Sequence, residues 1–245
     1  MSALRVVEIL RRMEQGRTRP FLVRAEDDAL YVAKGRETTQ RGLVAEWLCA
    51  HLGRALDLPI PPFTLLEVPA ELVAALGAEG GALGASTAFG SRLESGVQDF
   101  AIAQLRNVDV ALRRRLLAFD WWVENADRTL SELGGNPNLL WRAAGDALLV
   151  IDHNLAFDRE FDESTFFATH VFHGDASALF EDWINWTDAA NRLRAALPSF
   201  DEALASMPEQ WNWLDPEATL PVGIDWTARR ARLDERINIR RGRTQ

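Results

Sequence analysis

The sequence predicts an α+β protein of two lobes: a small, sheet-rich N-terminal lobe over residues 1–93 and a larger, mainly helical one over 94–245. Three observations predict it. Short apolar runs bounded by turn residues fill the first part of the chain. A single long helical pattern, from about Thr39 to Ala55, interrupts them. From Val110 onward the apolar spacing is mainly helical. With 245 residues and 47% hydrophobic content, the chain can form a sizeable core. Two lobes imply a cleft, and clefts are where ligands bind.

The elements follow in order. VVEILRRMEQ (6–15) reads as a strand or a short helix, and GRTRP (16–20) as a turn punctuated by Gly16 and Pro20. FLVRA (21–25) and ALYVAK (29–34) flank Glu26-Asp27-Asp28 as a β-hairpin. In the helix that follows, Leu43, Val44, Trp47, Leu48, His51 and Leu52 recur at three- and four-residue spacing. The prolines of LDLPIPP (56–62) stop it. FTLLEV (63–68) is a strand, a short helix starts after Pro69, and STAFGS (86–91) is a last strand leading into a connector. VALRRRLLAFDWWVEN (110–125) is a long helix, LLW (139–141) and ALLVI (147–151) are short strands, and helices rich in tryptophan complete the chain.

Composition excludes several classes. A net charge of −9 argues against a broad nucleic-acid surface. The single cysteine, Cys49, leaves no internal disulfide framework or multi-cysteine metal site, and it reads as an inert residue on the apolar side of its helix. No apolar run reaches the roughly 18 residues of a membrane span, and arginines break the N-terminus before a signal-peptide core forms. A cytoplasmic protein without membrane attachment is expected. No GxSxG or GxxxxGK[ST] is present, which removes a serine-hydrolase elbow and a P-loop. His170, His173 and Asp175 lack a further clear ligand and read as ordinary histidines of core or surface. Trp183, Trp186, Trp211 and Trp213 read as packing residues. Charge is uneven: residues 151–220 are strongly acidic and the last twenty strongly basic, so the basic tail is expected to fold back onto the acidic surface.

Among the 27 basic residues, only Lys34 is lysine. Lysine is a compact point charge on a thin stem, whereas arginine is a planar fork, and phosphate pockets often use the former. Glu46, on the following helix, is suited to pair with Lys34 and aim it. Asn125, Asp127, Asn136 and Asn138 lie in a loop between an apolar helix and an apolar strand, a setting that favours chemistry. Turn formation accounts for Gly134, Gly135 and Asn136 but less well for Asp127 and Asn138. ALLVI runs directly into Asp152, which with Asn138 supplies hard oxygen donors of the kind Mg²⁺ takes beside phosphates. Asp127 is placed to orient a hydroxyl and accept its proton. Gly16, Arg17, Thr18 and Arg19 offer backbone donors and guanidinium groups to phosphates.

Lysine on a strand, glutamate on the next helix, an Asp…Asn loop, a strand pair and then Asp: this order resembles protein-kinase-like phosphotransferases. VAKG, AEWLCAHLGRALDLPIPP, ENADRT with NPNLLW, and LLVIDHNLAFD look most like compact members of the HipA-like kinase family, over roughly residues 10–160. The resemblance implies a bilobal kinase-like fold and a kinase that uses ATP and Mg²⁺ to phosphorylate a hydroxyl, most simply serine or threonine of a protein. It also implies that Lys34 contacts the α- and β-phosphates, that Glu46 holds Lys34 and that Asp127 is the catalytic aspartate. Asn138 and Asp152 bind the metal, with Asn136 a rival ligand, and Thr87 to Leu93 meets adenine. A protein substrate and an antitoxin-like or regulatory protein partner are expected. The chain departs from typical protein kinases in three places: eleven residues separate Asp127 from Asn138, the metal triplet is Asp152-His153-Asn154, and no GxGxxG is present. The alternatives are a weak or inactive nucleotide-binding module acting through partners, and a small-molecule kinase.

Overall fold

The structure, a computed structural model, describes residues 3–14, 19–215 and 217–239. It divides into two compact units. One comprises residues 1–47, 61–95 and 206–224; the other comprises 48–60, 96–205 and 225–245.

In the first unit, five strands close into a barrel in the order β1 (Leu4–Arg12), β2 (Phe21–Ala25), β3 (Leu30–Lys34), β5 (Thr87–Arg92) and β4 (Phe63–Glu67). All its pairings are antiparallel except β1 with β4, where Leu4 and Arg5 lie parallel to Leu66 and Glu67. Residues 6–12 are therefore strand and not helix. Their register slips between Val6 and Glu8 and again between Ile9 and Arg11. Such bulges break the two-residue alternation, which is why the sequence left this segment ambiguous. Phe21, Val23 and Ala25 on β2 and Tyr31 and Ala33 on β3 alternate inward, joining Val6, Leu66, Val68, Leu83 and Ala88 in the core. Short helices α2 (Ala70–Ala75) and α3 (Gly80–Leu83) precede β5. Trp211 joins this unit: its Nε1 donates to the Thr87 carbonyl at 3.1 Å, and its ring meets Trp47 edge-on at 6.4 Å.

Helix α1 (Gln40–Ala55) contains the boundary between the units, after Trp47. Every residue from Leu43 to Ala50 is buried, so the helix is covered all round and is not amphipathic. Ala45, Cys49 and Ala50 fill the positions that the three- and four-residue pattern left out.

The second unit contains the antiparallel sheet of β6 (Gln98–Asp99), β7 (Leu139–Arg142) and β8 (Ala147–Val150). Its helices are α4 (Val110–Trp122), α5 (Glu163–Thr169), α6 (Ala176–Phe180), α7 (Trp183–Ala196), α8 (Pro198–Ser206) and α9 (Trp226–Asn238). Asp109, Asp182 and Asp225 cap α4, α7 and α9 by accepting from the backbone N–H groups of Leu112, of Ile184 and Asn185, and of Ala228. The last turns of α4 are buried throughout, from Leu116 to Trp122. Trp121 packs edge-on against Phe180 and Trp186 at 5.4 and 5.5 Å. Trp122 donates from Nε1 to the Leu233 carbonyl of α9 at 2.9 Å. Trp183 departs from the expected packing role: it is 64% exposed beside Ile184. No described helix is long and apolar enough to cross a membrane.

The basic C-terminal segment does meet acids within its unit. Arg230 pairs with Asp201 at 3.2 Å, and Arg236 with Glu163 at 3.4 Å. Its main acidic partner lies outside the acidic stretch, however. Arg229, Arg232 and Arg236 all reach Glu124, just beyond α4.

Candidate active site

Lys34 ends β3 on the face opposite Ala33, because successive strand residues point to opposite sides. It is nevertheless buried, and its Nζ donates to Oε1 of Glu46 on α1. Glu46 is 2% exposed, so this is an ion pair removed from water. Breaking such a pair by removing one partner leaves an uncompensated charge. Gly35 follows immediately, and a Cβ there would lie 2.1 Å from the Leu83 carbonyl oxygen. Only glycine lets the chain turn so closely past α3 directly after Lys34.

In the second unit, α4 ends at Trp122 and releases the chain into Glu124-Asn125-Ala126-Asp127-Arg128. Asp127 is half-buried, and its Oδ2 accepts from Nδ2 of Asn136 at 3.0 Å and of Asn138 at 2.9 Å. The eleven-residue separation is resolved by a loop that closes on itself. Thr129 N–H donates to the Asn136 carbonyl at 3.0 Å, and Ser131 and Gly134 exchange backbone bonds of 3.0 and 3.1 Å. Both asparagines thereby return to Asp127. Asn136 is exposed and Asn138 half-buried, with φ of 49° at Asn138. Left-handed backbone is tolerated best by glycine and asparagine.

Arg128 holds this loop. It is completely buried and donates from Nε to Oδ2 of Asp120 at 2.7 Å. From Nη1 it reaches the carbonyls of Pro137 (3.1 Å), Asn138 (2.5 Å) and Ile151 (3.2 Å). One guanidinium thus ties the residue after Asp127 to the residues carrying or preceding Asn138 and Asp152. Ile151 N–H also donates to the Asn138 carbonyl at 3.1 Å. Asp120, fully buried on α4, further accepts from Asn125 Nδ2 at 2.8 Å and faces His170 Nε2 at 3.0 Å. His170 Nδ1 accepts the Phe172 N–H, so the neutral ring carries its proton on Nε2 and donates it to Asp120. His170 is accordingly a core histidine and not a metal ligand. His153 is also buried, with its ring edge-on to Phe119 at 5.7 Å, so it packs as an aromatic beside Asp152.

Electrostatics separate the two aspartates of this network. Burial pushes the Asp120 carboxyl up, but the Arg128 charge and the His170 hydrogen bond outweigh it and hold the group at about 2. Asp127 is raised above the usual carboxylate range, first by burial and also by the Asp152 charge; the Asn138 and Asn136 hydrogen bonds oppose this. A raised carboxylate is the better proton acceptor at neutral pH. Asp152 is among the causes that raise Asp127, as a nearby like charge does.

Lys34 with Glu46 and Asp127 with Asn136, Asn138 and Asp152 are thus the two groups of sequence-singled residues that the fold assembles, each within its own unit. Thr87–Arg92 is barrel strand β5. Gly16, Arg17 and Thr18 lie outside the described residues, while the Arg19 carbonyl accepts from Arg12 Nε at 3.2 Å. Asp120, Arg128 and Glu124 escaped sequence reading. Arg128 stands beside Asp127 in ENADRT, yet a loop arginine normally reads as exposed.

Comparison with known proteins adds three findings. A family model described as HipA-like kinase matches residues 6–239. No curated protein sequence matches the chain. Among solved structures, a Helicobacter pylori proinflammatory kinase, CtkA, is similar with a TM-score of 0.56 at 11% identity, covering 97% of this chain and 95% of that one. A Golgi casein kinase solved with Mn/ADP bound is similar with a TM-score of 0.51 at 12% identity, covering 96% of this chain and 70% of that one. At such identities the likeness speaks to a kinase-like fold.

Proposed function

The chain belongs to the HipA-like kinase family, and from that premise we propose that it transfers the γ-phosphoryl group of ATP to a hydroxyl, serine or threonine of a protein being the acceptor. One observation carries the reading: the half-buried Asp127 is raised in pKa, oriented by two asparagine amides and locked through Arg128 to the segment bearing Asp152. A group so held is suited to orient an attacking hydroxyl and take its proton. Lys34, fixed by Glu46, supplies a compact positive charge for the α- and β-phosphates. The adenine contact is assigned to Thr87 to Leu93 on the strength of the family resemblance alone.

The donor set fits a divalent metal. Asp152 and Asn138 offer hard oxygens beside a second carboxylate, and Mg²⁺ is commonly held by one or two carboxylates plus substrate phosphates. Asp152 and Asn138 would hold the ion, with Asn136 as the alternative amide ligand. When bound, the ion neutralises charge on the phosphates. The similar Golgi kinase carries Mn/ADP, which supports a nucleotide and a divalent metal as cofactors here. The reading places the protein in the cytoplasm, consistent with its single, buried Cys49. A regulatory or antitoxin-like protein partner belongs to this reading by family resemblance.

Thermal unfolding with Mg²⁺-ATP, and with ATP in EDTA, tests it. A ligand at about 100 times its Kd adds about 2.7 kcal/mol, which for a chain of this size corresponds to a rise of roughly 5–10 °C. A rise that requires the metal is expected. Identical curves at millimolar nucleotide would contradict the reading.

A further inference from the structure

Glu124 sits three residues before Asp127 and is 6% exposed. Its backbone is left-handed, with φ of 54°, as the residue that ends α4 in a Schellman turn: its N–H donates to the Trp121 carbonyl at 3.3 Å and the Asn125 N–H to the Asp120 carbonyl at 2.9 Å. Its side chain is held by α9. Arg229 Nη1 donates to Oε2 at 3.1 Å, and Arg232 Nε and Arg236 Nη1 donate to Oε1 at 3.1 and 3.3 Å. Three guanidinium groups converge on this one carboxylate, although Arg232 also pairs with Glu235 at 3.2 Å and Arg236 with Glu163 at 3.4 Å. Helix α9 has other attachments as well. Leu233 and Ile237 are buried, Trp122 bonds the Leu233 carbonyl, and the Arg236 guanidinium lies 4.0 Å over the Trp121 ring while its Nη2 donates to the Trp121 carbonyl at 2.7 Å.

The backbone around Glu124 shows where the clasp acts. Phe157 N–H donates to the Val123 carbonyl at 2.7 Å, and Asp158 N–H to the Glu124 carbonyl at 3.3 Å. Residues 123–124 thus bind the chain just beyond Asp152-His153-Asn154. Asp127 is flanked by two residues with bonds toward the Asp152 segment: Arg128, whose side chain reaches the Ile151 carbonyl, and Glu124, whose backbone carbonyl accepts from Asp158.

We propose that Glu124, gripped by Arg229, Arg232 and Arg236 of α9, is a positioning residue that sets the Asp127 loop against the Asp152 segment. The arginine-rich C-terminal helix is on this view part of the transfer machinery, acting at a distance through one carboxylate. The inference rests on the reading of Asp127 as the catalytic base.

The test compares the full chain with Glu124→Gln, Arg232→Gln and Asp127→Asn. Phosphoryl transfer from Mg²⁺-ATP and hydrogen exchange over residues 125–138 are both read well below the unfolding temperature. For Glu124→Gln, kcat is expected to fall tenfold or more with KM for ATP within twofold. Exchange over 125–138 should quicken about tenfold, while the β2–β3 hairpin exchanges as before. Arg232→Gln, whose side chain is 45% exposed, should shift both readouts in the same direction by less, and it decides the matter if Glu124→Gln fails to fold. A folded Glu124→Gln with unchanged kcat and unchanged exchange over 125–138 overturns the proposal. So does quickened exchange throughout α4 and α9 with kcat intact, which marks a mere anchor for the helix. If Asp127→Asn transfers phosphate like the parent, or the parent transfers none, the catalytic reading fails instead. The exchange over 125–138 then decides alone whether the clasp orders the loop.

Discussion

Asp127 and Arg128 are neighbours in sequence with opposite fates: one half-buried with a raised carboxyl, the other sealed in the core. The Asp152 charge is one cause of the Asp127 shift, so removing it should reverse part of that shift. Carboxyl NMR titration of Asp152→Asn is expected to place Asp127 at a lower pKa than in the parent; an unchanged value would mean the two carboxylates do not share a field. For Arg128, substitution by methionine leaves the fully buried Asp120 without its cation and takes a donor from three backbone carbonyls, of which that of Asn138 keeps the Ile151 N–H. Losing one partner of a buried pair costs about 3–5 kcal/mol, and urea unfolding should register a loss of that order. At this scale the sequence displayed the polar residues but not their burial. Lys34 stood out because arginine was used everywhere else. Glu124 did not, since its partners lie 105–112 residues away in the chain, and Arg128 did not, since most of its partners are backbone carbonyls.

The strands and helices were largely legible from their apolar spacing. The β2–β3 hairpin, β4, β5, α4 and the β7–β8 pair lie where periodicity and turn residues place them. Legibility failed where packing overrode pattern: the bulged β1, and α1, covered on all sides. The loop from Thr129 to Asn136 has no apolar period at all, yet it decides which amides meet Asp127. Gly135 is its tightest point, because a Cβ there would lie 2.5 Å from the Thr129 carbonyl oxygen. Gly135→Ala is expected to open this loop and weaken the hold of Asn136 and Asn138 on Asp127. A destabilisation of about 1–3 kcal/mol is of the size that forced overpacking produces, and the Asp127 titration should move with it. Wild-type stability with an unmoved titration would show that the loop does not set the site.

Across the whole molecule, the Asp120 network makes stability depend on pH in two windows. His170 lies below its ordinary value, chiefly through burial, so the folded state resists its protonation. Its contribution is complete above about pH 6.5, the unfolded value, and falls as the pH drops below that. Asp120, at about 2 when folded, contributes fully above about pH 4 and loses its contribution as the pH falls through 2. Urea midpoints should therefore decline in two stages on acidification, and His170→Gln should shrink the first, to which His51, also lowered by burial, contributes as well. A single decline below pH 4 in the parent would refute the neutral, buried assignment of His170.

The central claim is that Asp127 performs phosphoryl transfer in a HipA-like kinase. Its most direct test is the transfer of labelled γ-phosphate from Mg²⁺-ATP to protein hydroxyls, comparing the parent with Asp127→Asn. Removing a general base typically costs about 10²–10⁴-fold in rate, so the variant should bind nucleotide as the parent does and transfer at least a hundredfold more slowly. Transfer by Asp127→Asn at the parental rate would contradict the account.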